Sequence, residues 1–427
     1  MIDRKTLLFY ALPALPLAAL LMPIYIFLPT YYAETLGLGL AAVGLVRIIS
    51  GLWDVITDPM IGVLSDKTSH AWGRRKIWIL SGLPFTLIGS WCLLVPPFDP
   101  SLLSMTLFSC FMILGWTMML LPLNALAGEL CQNYSERNRI NTWRESFGLL
   151  GVLIPLGLIA GLGFTGDGEQ GEALRVIAII VAITLPLFTA CLMWFVKEPV
   201  TVISPKSFSI SESFQILKQN SYFKILIRSY FLNAVANGLP ASLILIYVSD
   251  VLNAPDKVGQ FLFIYFLAGI ISTPFWNHLG TKFSKHKIWC VAMGFACFVF
   301  AAIPFLNEGD VTAYLVICIL TGIVFGADLI YPPSMQADVI DSDAAISGQS
   351  RAGLFFALWG IATKLSLALA TGFGFLLLDY FQKSDFIIII LYAIIPIIFK
   401  IISMAGMWNF GLTKEILHEI QNQTKGV

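Results

Sequence analysis

Residues 41–76 read AAVGLVRIISGLWDVITDPMIGVLSDKTSHAWGRRK. The stretch up to Ser65 is an apolar run of helical, not strand, character. A barrel strand would alternate apolar and polar residues, and an open sheet in lipid would leave its edge groups unpaired. The run is long enough to cross roughly 30 Å of hydrocarbon as a helix. Its only charges are Arg47, Asp54 and Asp58, and it ends on Asp66-Lys67 and then on Gly73-Arg74-Arg75-Lys76. The segment predicts a membrane-crossing helix that stops at a basic corner.

Runs of the same kind recur along the chain at 7–33, 41–65, 77–96, 102–128, 144–164, 173–196, 223–249, 258–279, 288–306, 312–335, 351–378 and 386–410. These predict twelve spans. Over 427 residues the chain is 57% hydrophobic and 12% charged, about half the charge of a soluble domain. Net charge is zero, which offers nothing to nucleic acid. With the N-terminus inside, roughly twenty Lys and Arg residues fall on cytoplasmic segments. Only Arg175, Lys257 and Lys383 fall outside. That asymmetry predicts a multi-pass protein of a bacterial inner membrane with both termini cytoplasmic. The first run lacks the small-residue cleavage site of a signal peptide and is expected to remain as span 1.

The polar stretch 197–222, with Pro199 and Pro205, separates six spans from six. It predicts an N-terminal bundle over 1–196, a linker over 197–222, a C-terminal bundle over 223–410 and a tail over 411–427. The tail reads as either a short amphipathic helix or a solvated end. An internal repeat relates the two bundles. Val43-Gly44 precedes Pro59 by the interval at which Val258-Gly259 precedes Pro274, and Leu64 and Lys67 match Leu279 and Lys282. Lys76-Ile77-Trp78 then matches Lys287-Ile288-Trp289 after a shorter loop. Asp54 and Asp58 correspond to Gly269 and Thr273, so only one copy carries the acids.

Ionisable residues in mid-span are costly and call for a partner or a task. Here they are Arg47, Asp54, Asp58, Asp328, Lys364 and Lys400. Asp54 and Asp58 are one helical turn apart and share a face, with Arg47 two turns away on nearly the same face. Two close carboxylates in low dielectric need a cation between them. A bound Na⁺ or H⁺ supplies one, as does Lys364 or Arg47; a permanent salt-bridge cluster is the alternative reading. Thr57 and Thr117 offer hydroxyl oxygens to a hard cation, although such hydroxyls also bond back to their own helix. Asn233 and Asn237, one turn apart in span 7, are either solute contacts or interhelical ties. Pro13, Pro16, Pro23 and Pro29 predict kinks in span 1, and Pro332-Pro333 predicts the end of span 10.

The basic corner, with Gly62, Asp66, Arg74 and Arg75, suits a gate held by charge-assisted hydrogen bonds, or a positive-inside anchor. A second corner brings Glu129, Tyr134, Glu136, Arg137, Arg139 and Arg144. A third, between spans 10 and 11, brings Asp338, Asp341, Asp343 and Arg351. The seven cysteines lack metal-ligand spacing and read as packing residues. No Ser/His/Asp set and no phosphate-cradling loop points to an enzyme or to a resident cofactor.

Trp53-Asp54-Val55-Ile56-Thr57-Asp58-Pro59, with Gly62, Asp66 and Gly73-Arg74-Arg75, resembles the signature of the glycoside–pentoside–hexuronide:cation symporters, a branch of the major facilitator superfamily. Tyr134-Ser135-Glu136-Arg137 with Arg144, the run Ala337-Asp338-Val339-Ile340-Asp341, and Lys364 are similar to further motifs of that family. The likeness extends from about residue 8 to 410. It implies an all-α membrane fold of twelve helices in two pseudo-symmetric six-helix halves that alternate access, working as a monomer. It also implies that Asp54, Asp58 and Thr117 hold the coupling cation, that Na⁺ can sit at Asp54 and Asp58, and that Lys364 is the neighbouring lysine. Thr57 replaces a family asparagine, which leaves Na⁺ and H⁺ both open.

The solute positions depart from the sugar carriers. Ala18 and Leu120 stand where those have acids, and Asn124 stands where they have a stacking tryptophan, while Arg144 is kept. Sugar hydroxyls without acceptors bind poorly. The resemblance therefore implies cation-coupled symport of an organic solute, either glycoside-like or amphipathic like the cargo of the family's lysolipid carriers. An uncoupled facilitator or scramblase, and a receptor on the same scaffold, are the alternatives.

Overall fold

The computed structural model describes residues 3–21, 23–97, 99–130, 134–162, 170–199, 220–347 and 352–425. Among them are twelve helical segments long and apolar enough to cross a membrane, and no strand. Spans 1 to 6 are Arg4–Thr35, Leu40–Lys67, Arg74–Leu94, Leu102–Ala127, Arg139–Ala160 and Gln170–Phe195. Spans 7 to 12 are Ser221–Val251, Pro255–Lys282, Lys285–Phe305, Val311–Ile346, Gly353–Tyr380 and Asp385–Met407.

The chain divides into two compact units. Unit 1 comprises Met1–Pro205, Pro255–Gln260 and Thr371–Gln382; unit 2 comprises Lys206–Ala254, Phe261–Ala370 and Lys383–Val427. Short pieces of spans 8 and 11 thus group with the N-terminal spans. Most of the expected linker, residues 200–219, lies outside the described residues.

Within unit 1, spans 3 and 4 pack at glycines. A Cβ on Gly82 would sit 2.7 Å from the Gly115 carbonyl oxygen, and one on Gly115 would sit 2.3 Å from the Thr86 nitrogen. Only glycine permits that backbone approach. Span 1 joins this packing through Tyr32, whose hydroxyl donates to the Leu93 carbonyl at 3.0 Å. The four prolines do not merely kink span 1. It breaks into α-helical pieces at Arg4–Ala11, Ala14–Ala19 and Leu28–Thr30, with π-helical turns at Pro23–Phe27 and Tyr31–Thr35. A proline lacks the N–H that the regular ladder needs, and a widened turn absorbs the loss.

Unit 2 is built around Trp289, Tyr331, Phe355 and Phe410. Contrary to expectation, Pro332-Pro333 does not end span 10, which continues to Ile346. Tyr331 on one side of the prolines and Met335 and Val339 on the other are all seated in that core, so packing carries the helix through two missing donors. The tail forms a helix, Lys414–Lys425, with Ile416, Leu417 and Ile420 laid against the same core.

The duplication reaches further than the sequence match. Spans 1 and 7 both finish in a π-helical turn, Tyr31–Thr35 and Tyr247–Val251. In one, Leu36 and Leu38 N–H groups donate to the Tyr31 and Tyr32 carbonyls; in the other, Leu252 and Ala254 donate to those of Tyr247 and Val248. The residue between the paired donors is left-handed in both, Gly37 at φ +73° and Asn253 at φ +49°.

Candidate functional site

Span 2 buries the stripe Val43, Arg47, Ser50, Asp54, Thr57, Ile61 and Ser65 inside unit 1. The spacing of three and four residues is that of one helix face. Trp53 ties the span to span 4, its indole N–H donating to the Cys110 carbonyl at 3.1 Å. Two turns along span 4, the Thr117 hydroxyl lies 3.0 Å from Asp58 Oδ1 and 3.3 Å from Asp54 Oδ1. One hydroxyl thus stands between two carboxylates. Asp54 is buried and Asp58 half-buried.

These oxygens are the donor type that Na⁺ takes, and a carboxylate also takes a proton. Thr57 is turned away: its hydroxyl donates to the Asp54 carbonyl at 3.2 Å. Arg47 does not serve the acids by direct pairing. Its guanidinium lies over the Tyr25 ring, 4.7 Å from the centroid, in the π-helical turn of span 1, and its Nε has no hydrogen-bond partner. Lys364 lies on span 11, in unit 2.

The solute candidates separate into two groups. In unit 1, Arg144 donates to Asn124 Oδ1 and pairs with Glu145, and the Tyr10 hydroxyl donates to the Leu123 carbonyl at 2.9 Å. Ala18 faces span 5, where a Cβ on Gly151 would meet its own at 3.1 Å. Leu120 is half-buried. In unit 2, Asn233 and Asn237 are not free for a solute. Their amides donate to the two oxygens of Asp328 at 3.1 and 2.9 Å. Trp289 donates to the same carboxylate at 2.6 Å, and Lys400 stands 4.0 Å from it while donating to Asn233 at 2.8 Å. Asp328 and Lys400 thereby knit spans 7, 9, 10 and 12, because a buried charge demands such partners.

The basic corner of unit 1 is a cluster of ion pairs. Arg75 contacts Glu129 at 2.8 Å, Asp66 at 2.5 Å and Ser65 at 2.8 Å; Arg74 contacts Glu129 at 2.7 Å. Gly62 has nothing within 4 Å of a Cβ built on it, so it makes no close contact. In unit 2, Lys285 pairs with Asp338 at 2.6 Å, and Asn220 donates to Asp343 at 3.4 Å. Lys285 precedes Lys287 as Arg74 precedes Lys76, so Arg74–Glu129 and Lys285–Asp338 are equivalent pairs of the repeat. Arg351 and the side chain of Arg137 lie outside the described residues.

Sequence reasoning missed Glu198. Its carboxylate accepts from the Arg75 N–H at 2.9 and 3.1 Å and from the Lys76 N–H at 3.1 Å, capping the start of span 3. A Cβ on Gly73 would lie 2.2 Å from Glu198 Oε2, and Gly73 sits at φ +103°, which explains glycine there. In return, Lys76 Nζ donates to the Met193 and Val196 carbonyls at the end of span 6, at 2.7 and 2.8 Å. Each helix end is capped by the other's charge. The sole signal was one acid beside Lys197, directly after span 6.

A profile of the MFS/sugar transport protein family matches residues 9–414. The chain is 23% identical to the inner membrane symporter YicJ of Escherichia coli, over 94% of this chain and 90% of that protein. It is 21% identical to the sodium-dependent lysophosphatidylcholine symporter 1 of Gallus gallus, over 83% of this chain and 74% of that one. The solved structure of a D-xylose-proton symporter superposes with a TM-score of 0.66 at 15% identity, covering 96% of this chain and 97% of that one. The chain belongs to the MFS/sugar transport protein family, in its glycoside–pentoside–hexuronide:cation symporter branch.

Proposed function

We propose that the chain couples entry of an amphipathic organic solute to a cation, Na⁺ or H⁺, taken up at Asp54, Asp58 and Thr117. The observation that carries this reading is the Thr117 hydroxyl set between two carboxylates on one face of span 2. A cation that enters there screens the two acids from each other, and its departure raises their mutual repulsion in low dielectric. Loading and unloading thus differ in energy, and that difference is what a coupled carrier transmits. By the family resemblance, Lys364 is the coupling lysine. Arg74, Arg75, Asp66 and Glu129 form the gate, and Lys285–Asp338 is its counterpart.

The solute reading rests on Ala18, Leu120 and Asn124, which offer no carboxylate to sugar hydroxyls, and on Arg144, a donor. A lysophosphatidylcholine symporter among the relatives supports an amphipathic cargo. The test is purified protein in proteoliposomes under an imposed Na⁺ or H⁺ gradient, with lysolipids and glycosides as solutes. The gradient drives accumulation, and Asp58→Asn abolishes accumulation while leaving exchange. Intact accumulation in Asp58→Asn ends the cation assignment; downhill flux alone in the parent protein favours the uncoupled facilitator.

A further inference from the structure

Apart from the acid pair, unit 1 carries a groove of about 840 Å³ between the turn joining spans 2 and 3 and the end of span 6. His70, Trp72, Arg74, Lys76, Trp194 and Lys197 are among its walls. Charges there do not cancel. Arg74 is neutralised by Glu129, which Arg75 shares. Glu198 also lines the groove and keeps its negative charge while its oxygens take the amides of Arg75 and Lys76, so Lys76 and Lys197 together leave one positive charge in excess. Lys76 Nζ is held by two neutral carbonyls. Lys197 is exposed, and among the described residues neither lysine has a carboxylate within ion-pair distance. His70 Nδ1 accepts the Trp72 N–H at 3.2 Å, so its ring stays at the mouth.

One wall continues into an apolar stripe. Ile183, Leu187 and Trp194 of span 6 are spaced by four and seven residues and are 63%, 56% and 80% exposed. That spacing is one helix face, and on a membrane span acyl chains are what cover it. Trp72, 62% exposed, stands at the basic mouth. Tryptophan prefers the level of the headgroups, where its ring is apolar and its N–H is wet. A basic mouth over an apolar stripe is complementary to one molecule with an anionic head and a hydrocarbon chain.

We propose that this groove seats one anionic phospholipid, its phosphate against Lys197 and its chain along Ile183, Leu187 and Trp194. The site is separate from the solute positions and does not depend on the coupling reading. An inserted headgroup would press on the turn between Thr68 and Gly73, which leads into the gate arginines.

The test is native mass spectrometry of the detergent-purified protein with equimolar phosphatidylglycerol and phosphatidylcholine, alongside hydrogen–deuterium exchange of residues 68–73 in nanodiscs of each lipid. The protein retains one phosphatidylglycerol in preference to phosphatidylcholine, and the turn is protected only in the anionic discs. Lys197→Gln lowers the preference about fivefold, the effect of one basic residue beside an anionic surface. Trp194→Ala weakens retention of both lipids. Equal retention of the two lipids by the parent protein, or an unchanged preference in Lys197→Gln, overturns the proposal. So does protection of the turn by inorganic phosphate alone, which makes the groove a free-anion site. The exchange comparison uses the unsubstituted protein and decides the matter even where a variant fails to fold.

Discussion

Glu198→Ala removes the acid that closes the start of span 3 without touching any residue of the acid pair. The substitution deprives the Arg75 and Lys76 N–H groups of an acceptor that stands at 2.9 to 3.1 Å. Loss of a helix N-terminal cap costs about 1–2 kcal/mol, and loss of the negative charge at the positive end of the helix costs roughly 0.3–1 kcal/mol more. A combined loss of about 2 kcal/mol is a factor of roughly 30 in a local opening equilibrium. Hydrogen–deuterium exchange on a peptide covering residues 73–80 should therefore speed up by about that factor. Glu198→Gln keeps an oxygen acceptor and loses only the charge, so its effect should be several-fold smaller. The change should stay local, in span 3 and in the end of span 6 whose carbonyls Lys76 holds. Unchanged exchange in Glu198→Ala, or a loss of protection spread evenly over unit 1, would refute the reciprocal cap.

Thr117→Val keeps shape but withdraws the oxygen between the two acids, and the midpoint for thermal stabilisation by the coupling cation should rise about tenfold, the worth of one hydrogen-bonding group. Asp328→Ala strands Lys400 and three donors in unit 2 and should cost about 3–5 kcal/mol in thermal unfolding, with much of that recovered when Lys400→Met is added. Gly115→Val drives a side chain into the Thr86 backbone and should prevent spans 3 and 4 from closing, seen as loss of monodisperse protein in size-exclusion chromatography.

The spans were legible because lipid imposes length and apolarity directly on each run, whatever its neighbours do. Span 10 was cut short because two adjacent prolines read locally as a stop, while the packing of Met335 and Val339 beyond them is a property of the assembled core. The turns of span 1 escaped for a related reason. Prolines announce that a regular ladder fails, but not whether the helix kinks or widens. Asp54 and Asp58 were visible through spacing along one helix, and the arginine corner through the basic run that follows it. Glu198 was not, since its partners lie more than 120 residues away and a backbone amide leaves no trace in composition. Asn233 and Asn237 were ambiguous until Asp328 was placed against them, because an amide satisfies a solute and a carboxylate equally well.

The duplicated scaffold separates what the fold needs from what has been added to one copy. Both units finish their first span with the same π-helical turn and a left-handed residue at the same place, Gly37 in one and Asn253 in the other, and both carry a basic-to-acidic pair at equivalent corners. Those features belong to the architecture. The pairs nevertheless differ in quality. Arg74–Glu129 has side-chain exposures of 16% and 10% and is joined by Arg75, whereas Lys285–Asp338, at 35% and 25%, is joined by no second basic side chain among the described residues. A planar guanidinium in a drier corner holds a carboxylate more firmly than a solvated ammonium does, since solvent and salt screen the exposed pair. The firmer corner terminates the span that carries Asp54 and Asp58, and the weaker one belongs to the copy where Gly269 and Thr273 stand in their place. A cation bound at span 2 would thus act on the stiffer lever, where a shift of the helix reaches Asp66 and Arg75 without being absorbed on the way. Under the proposed coupling, a more solvated corner would take up more of the same displacement in side-chain motion, which favours acids and braced arginines on one copy.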